Sequence, residues 1–319
     1  MNKNIIRCHW VDNLKFFALF LVVFGHIVTS QLHDVIYGFH MPLFFFISGM
    51  FHKEKNFGNI CKRLLLPYLL LNVLFLIMES PWIYRQEGSL NFIANDMLGI
   101  IFPQEHPIDY PTWFLLSLFE VKLIIKLLKN RMLLIFCSTI ICLLICCLCN
   151  LNFQLPFFLK NTFLGLAFYS IGYFTCCKFK HLVFTNKHHF AYISGRVTFV
   201  VLYFILMLNS PSCVWNEAIE SPNQFIYSLL GCYGFAFLFK GAFHQRYSII
   251  EQSCKGAIAI IGFHPLIIQY LRRFIQLFGG NWDKMDIAEC FSASIVVIVL
   301  CISIIPFLKK YPLLIGLNK

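Results

Sequence analysis

Charged residues are scarce in this 319-residue chain: Asp, Glu, Lys and Arg together make up only 13% of it, about half the share in a typical soluble domain. The sequence also has no low-complexity linker and no internal repeat. Hydrophobic residues, by contrast, make up 59% of the chain, 37 residues are Phe, and the mean hydropathy is +0.72. This composition excludes a soluble globular protein and predicts an integral membrane protein in a lipid bilayer.

Ten apolar runs are each close to the ~17–25 residues that a helix needs to cross a bilayer. Lipid offers no partner for unpaired backbone groups, so every run is predicted to be helical. The sequence therefore predicts an all-α, polytopic bundle of about ten transmembrane helices. Between the third and fourth runs, the stretch SLNFIANDMLGIIF predicts a short interfacial or re-entrant helix. The runs cover residues 14–30, 35–51, 64–83, 113–128, 132–149, 157–177, 190–208, 224–239, 257–278 and 288–308.

Acidic residues are fewer than basic ones, 15 against 26, which gives a net charge of +11. If the N-terminus lies inside, 21 of the 26 Lys and Arg residues fall on the cytoplasmic side and three outside. The other two, Arg272 and Arg273, lie within the ninth run. Short cytoplasmic loops are enriched in Lys and Arg, so both termini are predicted to be cytoplasmic. This bias accounts for the net charge, and we expect no nucleic-acid partner.

Fourteen cysteines would suggest a disulfide framework in a small secreted chain. Many of them, however, sit in apolar runs, where Cys packs as a small apolar residue. Cys146, Cys147 and Cys149 have no His or second Cys pair at zinc-ligand spacing beside them. We therefore expect no metal site.

Three histidines lie in the stretch FGHIVTSQLHDVIYGFHMP, at the join between the first two apolar runs. His26 precedes the outer turn by about two helical turns and His40 follows it by a similar distance, so both are predicted to lie at like depth. Two helices joined by so short a turn are neighbours, and the two imidazoles can face one cavity. A lone polar residue in a span is also often a packing group. The alternative is general-base chemistry, for which imidazole is well matched near neutral pH.

Lys15 begins the same helix as His26, and a gap of eleven residues is about three helical turns, which leaves both on one face. This face runs from a cation at the cytoplasmic end to an imidazole in the membrane. It suits a donor that carries phosphates on the cytoplasmic side and a reactive end that reaches inward. Asp12 either pairs with Lys15 at the surface or belongs to the site.

Lys62 and Arg63 stand at the mouth of the third apolar run, where topology alone can explain a basic residue. We assign Lys62 to topology. Arg63 adjoins an apolar helix and is predicted to reach into the bundle, where its guanidinium can bind phosphate bidentately.

Four stretches in order resemble the acyltransferase family 3 of integral membrane O-acyltransferases, and within it the fucose 4-O-acetylase-like group. They are WVDNLKFFALFLVVFGH, FHMPLFFFISGMF, KRLLLPYL and PTWFLLSLF, with a weaker match in IAIIGFHPLII. The resemblance covers the first four runs well and the ninth loosely. It implies a bundle of about ten transmembrane helices that moves acetyl groups from acetyl-CoA to sugar hydroxyls of envelope polysaccharides.

The resemblance also implies site residues. The family's catalytic histidine matches His26, while its upstream arginine is replaced by Lys15, which keeps the charge and loses the planar guanidinium. The family's late histidine matches His264, although the Ser and Tyr that precede this histidine in the family are replaced here by apolar residues. The resemblance also implies Glu120 as a polar group of the site in the fourth run. The alternative is that Glu120 only pairs with nearby Lys122 or Lys126. The other matching positions are His40, Ser48, Gly49, Arg63 and Trp113.

We therefore predict a single transmembrane acyltransferase domain over residues 1–319, with acetyl-CoA as donor and no bound cofactor. It transfers an acetyl group to a sugar hydroxyl of an envelope or capsular polysaccharide, in the bacterial cytoplasmic membrane. His26 acts as general base, and His40 orients His26 or the acceptor. Lys15 and Arg63 bind the CoA phosphates.

Arg272 and Arg273, near the outer end of the ninth run, either hold the acceptor or snorkel to lipid headgroups. The alternative function is a transporter or flippase of lipid-linked sugars. Such proteins more often show internal repeats or helices broken by Gly and Pro at the midplane in both halves, and neither is evident in the sequence.

Overall fold

The computed structural model describes residues 7–88, 91–103, 110–148, 159–178, 193–209 and 222–316. Within these ranges the chain forms helices and connecting turns, with no strand, which confirms the all-α class. The predicted runs at 132–149, 157–177 and 190–208 extend into segments outside the described residues.

Up to Leu127, the described residues form seven helices, and the sixth falls on the short helix predicted between the third and fourth runs. A π-helical turn over Cys61–Leu65 joins α4 to α5, and a 3₁₀ turn over Tyr110–Thr112 precedes α7. The helices are α1 (His9–Gly25), α2 (Gln31–Tyr37), α3 (His40–Met50), α4 (Phe57–Ile60), α5 (Leu66–Glu87), α6 (Asn91–Ile101) and α7 (Trp113–Leu127).

After α7, the described residues form seven further helices, most of them long. A short amphipathic helix, α12, precedes α13, and a 3₁₀ turn over Trp282–Lys284 precedes the last helix. The helices are α8 (Met132–Leu148), α9 (Leu159–Lys178), α10 (Ile193–Asn209), α11 (Pro222–Ala242), α12 (Ser248–Lys255), α13 (Ala257–Leu277) and α14 (Ile287–Leu308).

Within the described ranges, four segments are long and apolar enough to cross a membrane: Phe57–Gln86, Asn223–Ala242, Ala257–Leu277 and Ile287–Leu308. Shorter apolar helices accompany them. On α14 the large side chains at Phe291, Ile295 and Val299 are exposed, at four-residue spacing. Residues four apart share one face of a helix, so α14 presents a continuous apolar stripe outward, as a helix in contact with lipid does.

The second apolar run, predicted as one helix, is broken at Gly38, where α2 ends before α3 begins. The reason is packing: a Cβ atom at Gly38 would lie 2.6 Å from the Met207 side chain and 2.7 Å from the Tyr203 hydroxyl of α10. Tyr203 also donates a hydrogen bond to the Val35 carbonyl oxygen at 2.5 Å. The break therefore lets the chain pass close to α10 and turns the start of α3 into the bundle.

Helices α3 and α9 pack most extensively against each other, and two glycines make their close crossing possible. A Cβ atom at Gly49 would overlap the carbonyl oxygen of Tyr169, and one at Gly172 would overlap that of Phe46. Gly49, singled out by the sequence resemblance, thus serves the packing of α3. This crossing fixes the helix that carries His40.

Candidate active site

Four helices, α1, α3, α7 and α13, surround two cavities that follow each other along the bundle. The first, here called the cation cavity, has a volume of about 280 Å³ and is lined by five basic side chains. The second, here called the histidine cavity, is much smaller, with a volume of about 20 Å³, and is lined by His26 and His40.

The histidine cavity is built where α1 ends and α3 begins. His26 caps the C-terminus of α1, and its backbone N–H donates to carbonyl groups of the last turn. The hydroxyl of Tyr37 lies 3.2 Å from Nδ1 of His26, and the rings of Tyr37 and His40 are 4.9 Å apart. Tyr37 thus stands between the two imidazoles. Trp113, at the start of α7, forms another wall of the cavity.

Two histidines are held in a defined tautomer by the backbone. Nδ1 of His40 lies 2.8 Å from the Ile36 carbonyl oxygen, and Nδ1 of His264 lies 2.8 Å from that of Ile260. A carbonyl oxygen only accepts, so in both rings Nδ1 carries the hydrogen and Nε2 has the free lone pair of a base.

His264 is fully buried on α13, and its ring centroid lies 5.1 Å from that of His26. Among the described residues, Nε2 of His264 has no hydrogen-bond partner. Buried polar atoms are rarely left unpaired. The structure therefore brings together three imidazoles from two distant regions of the sequence, those of His26 and His40 and that of His264.

The cation cavity collects positive charge from five segments of the chain, and no carboxylate is among the described residues that line it. Partial burial, and then the charges of Arg63 and Lys53, lower the pKa of the Lys55 ammonium. Such clustering costs free energy unless an anion is bound. The five basic residues are Lys15, Lys55, Arg63, Lys122 and Lys255.

Arg63 reaches this cavity because the chain takes a wide π-helical turn before α5. The N–H of Leu66 bonds to the Cys61 carbonyl oxygen, five residues back, a pattern that often marks functional sites. Lys62 is exposed, whereas Arg63 is half-buried. The C-terminal segment supports the turn: Gly316, with φ of 64°, packs so closely that a Cβ atom there would lie 2.5 Å from the Arg63 carbonyl oxygen.

The two cavities lie end to end along the same four helices. On α1, Lys15 and Leu19 line the cation cavity, while Val22 and His26 line the histidine cavity. On α3 the order is reversed, as expected for a helix that runs the opposite way. Three side chains line both cavities and mark their junction: Phe44 of α3, Phe114 of α7 and Ile261 of α13.

Other residues singled out from the sequence lie apart from the imidazoles. Ser48 lines the cation cavity. Asp12 accepts a hydrogen bond from Nε of Arg7 at 2.6 Å, at the N-terminal end of α1. Glu120 accepts a 2.5 Å hydrogen bond from the Thr162 hydroxyl of α9.

The two arginines near the end of α13 are both engaged in ion pairs. Arg273 binds the buried carboxylate of Glu79 at 2.5 Å and lies over the ring of Trp82, whereas Arg272 binds Asp283 at 2.8 Å. Neither arginine is among the residues that line the two cavities. Their ion pairs connect α13 to α5 and to the turn that precedes α14.

Sequence reasoning did not identify several of the residues that line the cavities. Lys55, Lys122 and Lys255 were assigned to topology alone, as cytoplasmic charge. Tyr37 lies three residues before His40 in a helical stretch, and this spacing is a signal that could have found it. Nothing in the sequence distinguishes Phe44 and Phe114 from the other phenylalanines, of which the chain has 37 in all.

A protein-family model described as an acyltransferase domain, Acyl_transf_3, matches residues 9–306 of the chain. The match includes all four helices around the two cavities. No curated protein and no solved structure is detectably similar to the chain.

Proposed function

The chain belongs to the acyltransferase family 3, and on this premise we propose that it transfers an acetyl group from acetyl-CoA to a sugar hydroxyl. The acceptor is an envelope or capsular glycan. The protein works in the bacterial cytoplasmic membrane as a bundle of about ten transmembrane helices, with both termini in the cytoplasm.

One observation carries this proposal: a cavity with five basic side chains adjoins a cavity lined by histidines, and three side chains line both. CoA carries several phosphate charges at one end and a thioester at the other. Lys and Arg side chains suit the phosphates, and Arg63 can bind one of them bidentately. A donor held by its phosphates in the cation cavity would extend its thioester past Phe44 and Phe114 toward His26.

His26 is the proposed general base. It takes the proton of the acceptor hydroxyl as that oxygen attacks the thioester carbonyl carbon. The tetrahedral intermediate then collapses, the C–S bond breaks, and the departing sulfur takes the proton from the imidazolium. The products are the O-acetyl ester and free CoA.

The neighbours of His26 have supporting roles in this proposal. Tyr37 orients the imidazole through the hydrogen bond at Nδ1. His40, which lines the histidine cavity and has Nδ1 bound to the Ile36 carbonyl oxygen, can accept a hydrogen bond from the acceptor at Nε2. Lys15 and Arg63 bind donor phosphates in this proposal, and Lys55, Lys122 and Lys255, which line the same cavity, assist them.

The test is the release of free CoA from acetyl-CoA by membranes that contain the protein, measured with a thiol-reactive chromogenic reagent. Labelled acetyl should appear at the same time in the glycan fraction. A transporter or flippase of lipid-linked sugars would release no CoA. Absence of CoA release from membranes that contain both the protein and its acceptor would overturn the proposed function.

A further inference from the structure

Phe44 and Phe114 face each other where the two cavities meet. Their ring centroids are 5.6 Å apart, and both side chains are buried. Each ring lines the cation cavity on one side and the histidine cavity on the other. The junction is completed by Ile261 of α13, and by Leu19 and Val22 of α1 on either side of it. The boundary between the two cavities therefore consists of apolar side chains.

The Phe114 ring is held in place from behind. Phe45 contacts it edge to face, with ring centroids 5.0 Å apart. Phe45 is itself fully buried against α9, where a Cβ atom at Gly165 would lie 2.6 Å from the Phe45 ring. Close-packed interiors resist the displacement of large side chains. The rings at the junction consequently have little room to move apart for a bulky group.

We propose that the Phe44–Phe114 pair selects short acyl groups, by limiting the acyl chain that can pass from the cation cavity to His26. This inference rests on the proposed function, because it concerns the acyl part of the same donor. The phosphates and adenosine of the donor stay in the cation cavity and are the same for every acyl-CoA. Discrimination therefore falls on the acyl group alone.

The size of the effect follows from how apolar sites distinguish homologous chains. Each added methylene changes the relative rate by roughly 10–200-fold where the walls do not yield. In the wild-type protein, kcat/KM should fall steeply from acetyl-CoA to butanoyl-CoA and hexanoyl-CoA. Replacing either Phe with Ala removes most of a ring from the junction, and should raise the hexanoyl-to-acetyl ratio of kcat/KM about tenfold or more.

The experiment measures CoA release from acetyl-, butanoyl-, hexanoyl- and octanoyl-CoA, using membranes that contain the acceptor and equal amounts of each variant. The variants are Phe44→Ala and Phe114→Ala. Phe119→Ala is the matched control, because Phe119 is a buried ring on the same helix that packs against Phe57 and lines neither cavity. It should leave the chain-length preference as in the wild type, even if it lowers expression.

The outcomes separate this inference from the proposed function. A shift toward longer acyl groups in both junction variants, and not in Phe119→Ala, supports the inference. An unchanged preference in the junction variants, or an equal shift in the control, overturns it while the proposed function stands. If the wild type releases CoA from no thioester, the proposed function fails and this inference with it. If Phe114→Ala does not accumulate, Phe114→Leu is judged by the same ratio.

Discussion

Lys15 and His26 lie on the same helix, yet each lines a different cavity: Lys15 the cation cavity and His26 the histidine cavity. At 1.5 Å per residue, the eleven residues between them correspond to roughly 16 Å along α1. One helix thus connects the place where a charged donor would bind to the place where its acyl group would react.

Lys15 provides the first prediction. If its ammonium binds a donor phosphate, Lys15→Gln should raise KM for acetyl-CoA about tenfold and lower kcat much less, which is the pattern of lost uniform binding. Lys15→Arg should keep or improve activity, because a guanidinium can form two parallel hydrogen bonds to phosphate. Steady-state kinetics with varied acetyl-CoA measure both variants.

The matched control for Lys15 is Lys62→Gln, which removes an exposed cytoplasmic charge next to Arg63 that does not line the cavity. It should leave KM unchanged. Equal acetyl-CoA dependence in wild type and Lys15→Gln would assign Lys15 to topology alone and leave the phosphates to the other four cations.

Gly316 is predicted to position Arg63. A side chain at this residue must adopt a left-handed backbone conformation and must also displace the Arg63 carbonyl oxygen or Ile258. Gly316→Ala should therefore move the π-helical turn and raise KM for acetyl-CoA several-fold, with a smaller effect on kcat.

Gly279→Ala is the control for Gly316→Ala, since Gly279 has a φ of 78° and a Cβ atom there would meet nothing within 4 Å. Gly279→Ala therefore has the cost of a left-handed backbone conformation but no steric clash of the added Cβ atom. If the two variants have the same KM for acetyl-CoA, the contact between Gly316 and Arg63 has no role in donor binding.

The lowered pKa of Lys55 predicts that CoA binding depends on pH. Burial and the nearby charges of Arg63 and Lys53 lower the pKa of Lys55, so its ammonium loses a proton at a lower pH than an ordinary lysine. A phosphate favours the protonated form, and CoA affinity should therefore fall as the pH rises through that pKa. Titrations of the purified protein with CoA between about pH 8 and pH 10 measure this decline.

Lys55→Arg should weaken the decline, because a guanidinium stays charged throughout that range. The other lysines in the cavity remain in both proteins and serve as an internal reference. An identical alkaline decline in the wild type and in Lys55→Arg would show that Lys55 does not contact the phosphates.

Helical periodicity places residues eleven apart on one face, and this relates Lys15 to His26. The predicted short turn between His26 and His40 was wrong, because the helix α2 occupies that segment and His26 ends α1 instead of lying within it. The helix break at Gly38 was not predictable, because its cause is the close approach of Met207 and Tyr203, more than 160 residues later in the chain.

The other basic residues that line the cation cavity also could not be identified from the sequence. The predicted orientation of the protein already explains Lys55, Lys122 and Lys255 as basic residues on the cytoplasmic side. Only their convergence around one cavity distinguishes them from the other basic residues predicted on that side. Phe44 and Phe114 are likewise two apolar residues among many until the junction between the cavities is seen.

The most direct test of the central claim, that donor binding and proton transfer occupy two connected cavities, is made on purified His26→Ala. A general base contributes about 10²–10⁴-fold to the rate, so this variant should lose acetyl transfer by that factor. It should still bind acetyl-CoA with the affinity of the wild type, because the five cations are untouched. Normal transfer by a stably expressed His26→Ala protein, or loss of donor binding together with transfer, would contradict this account.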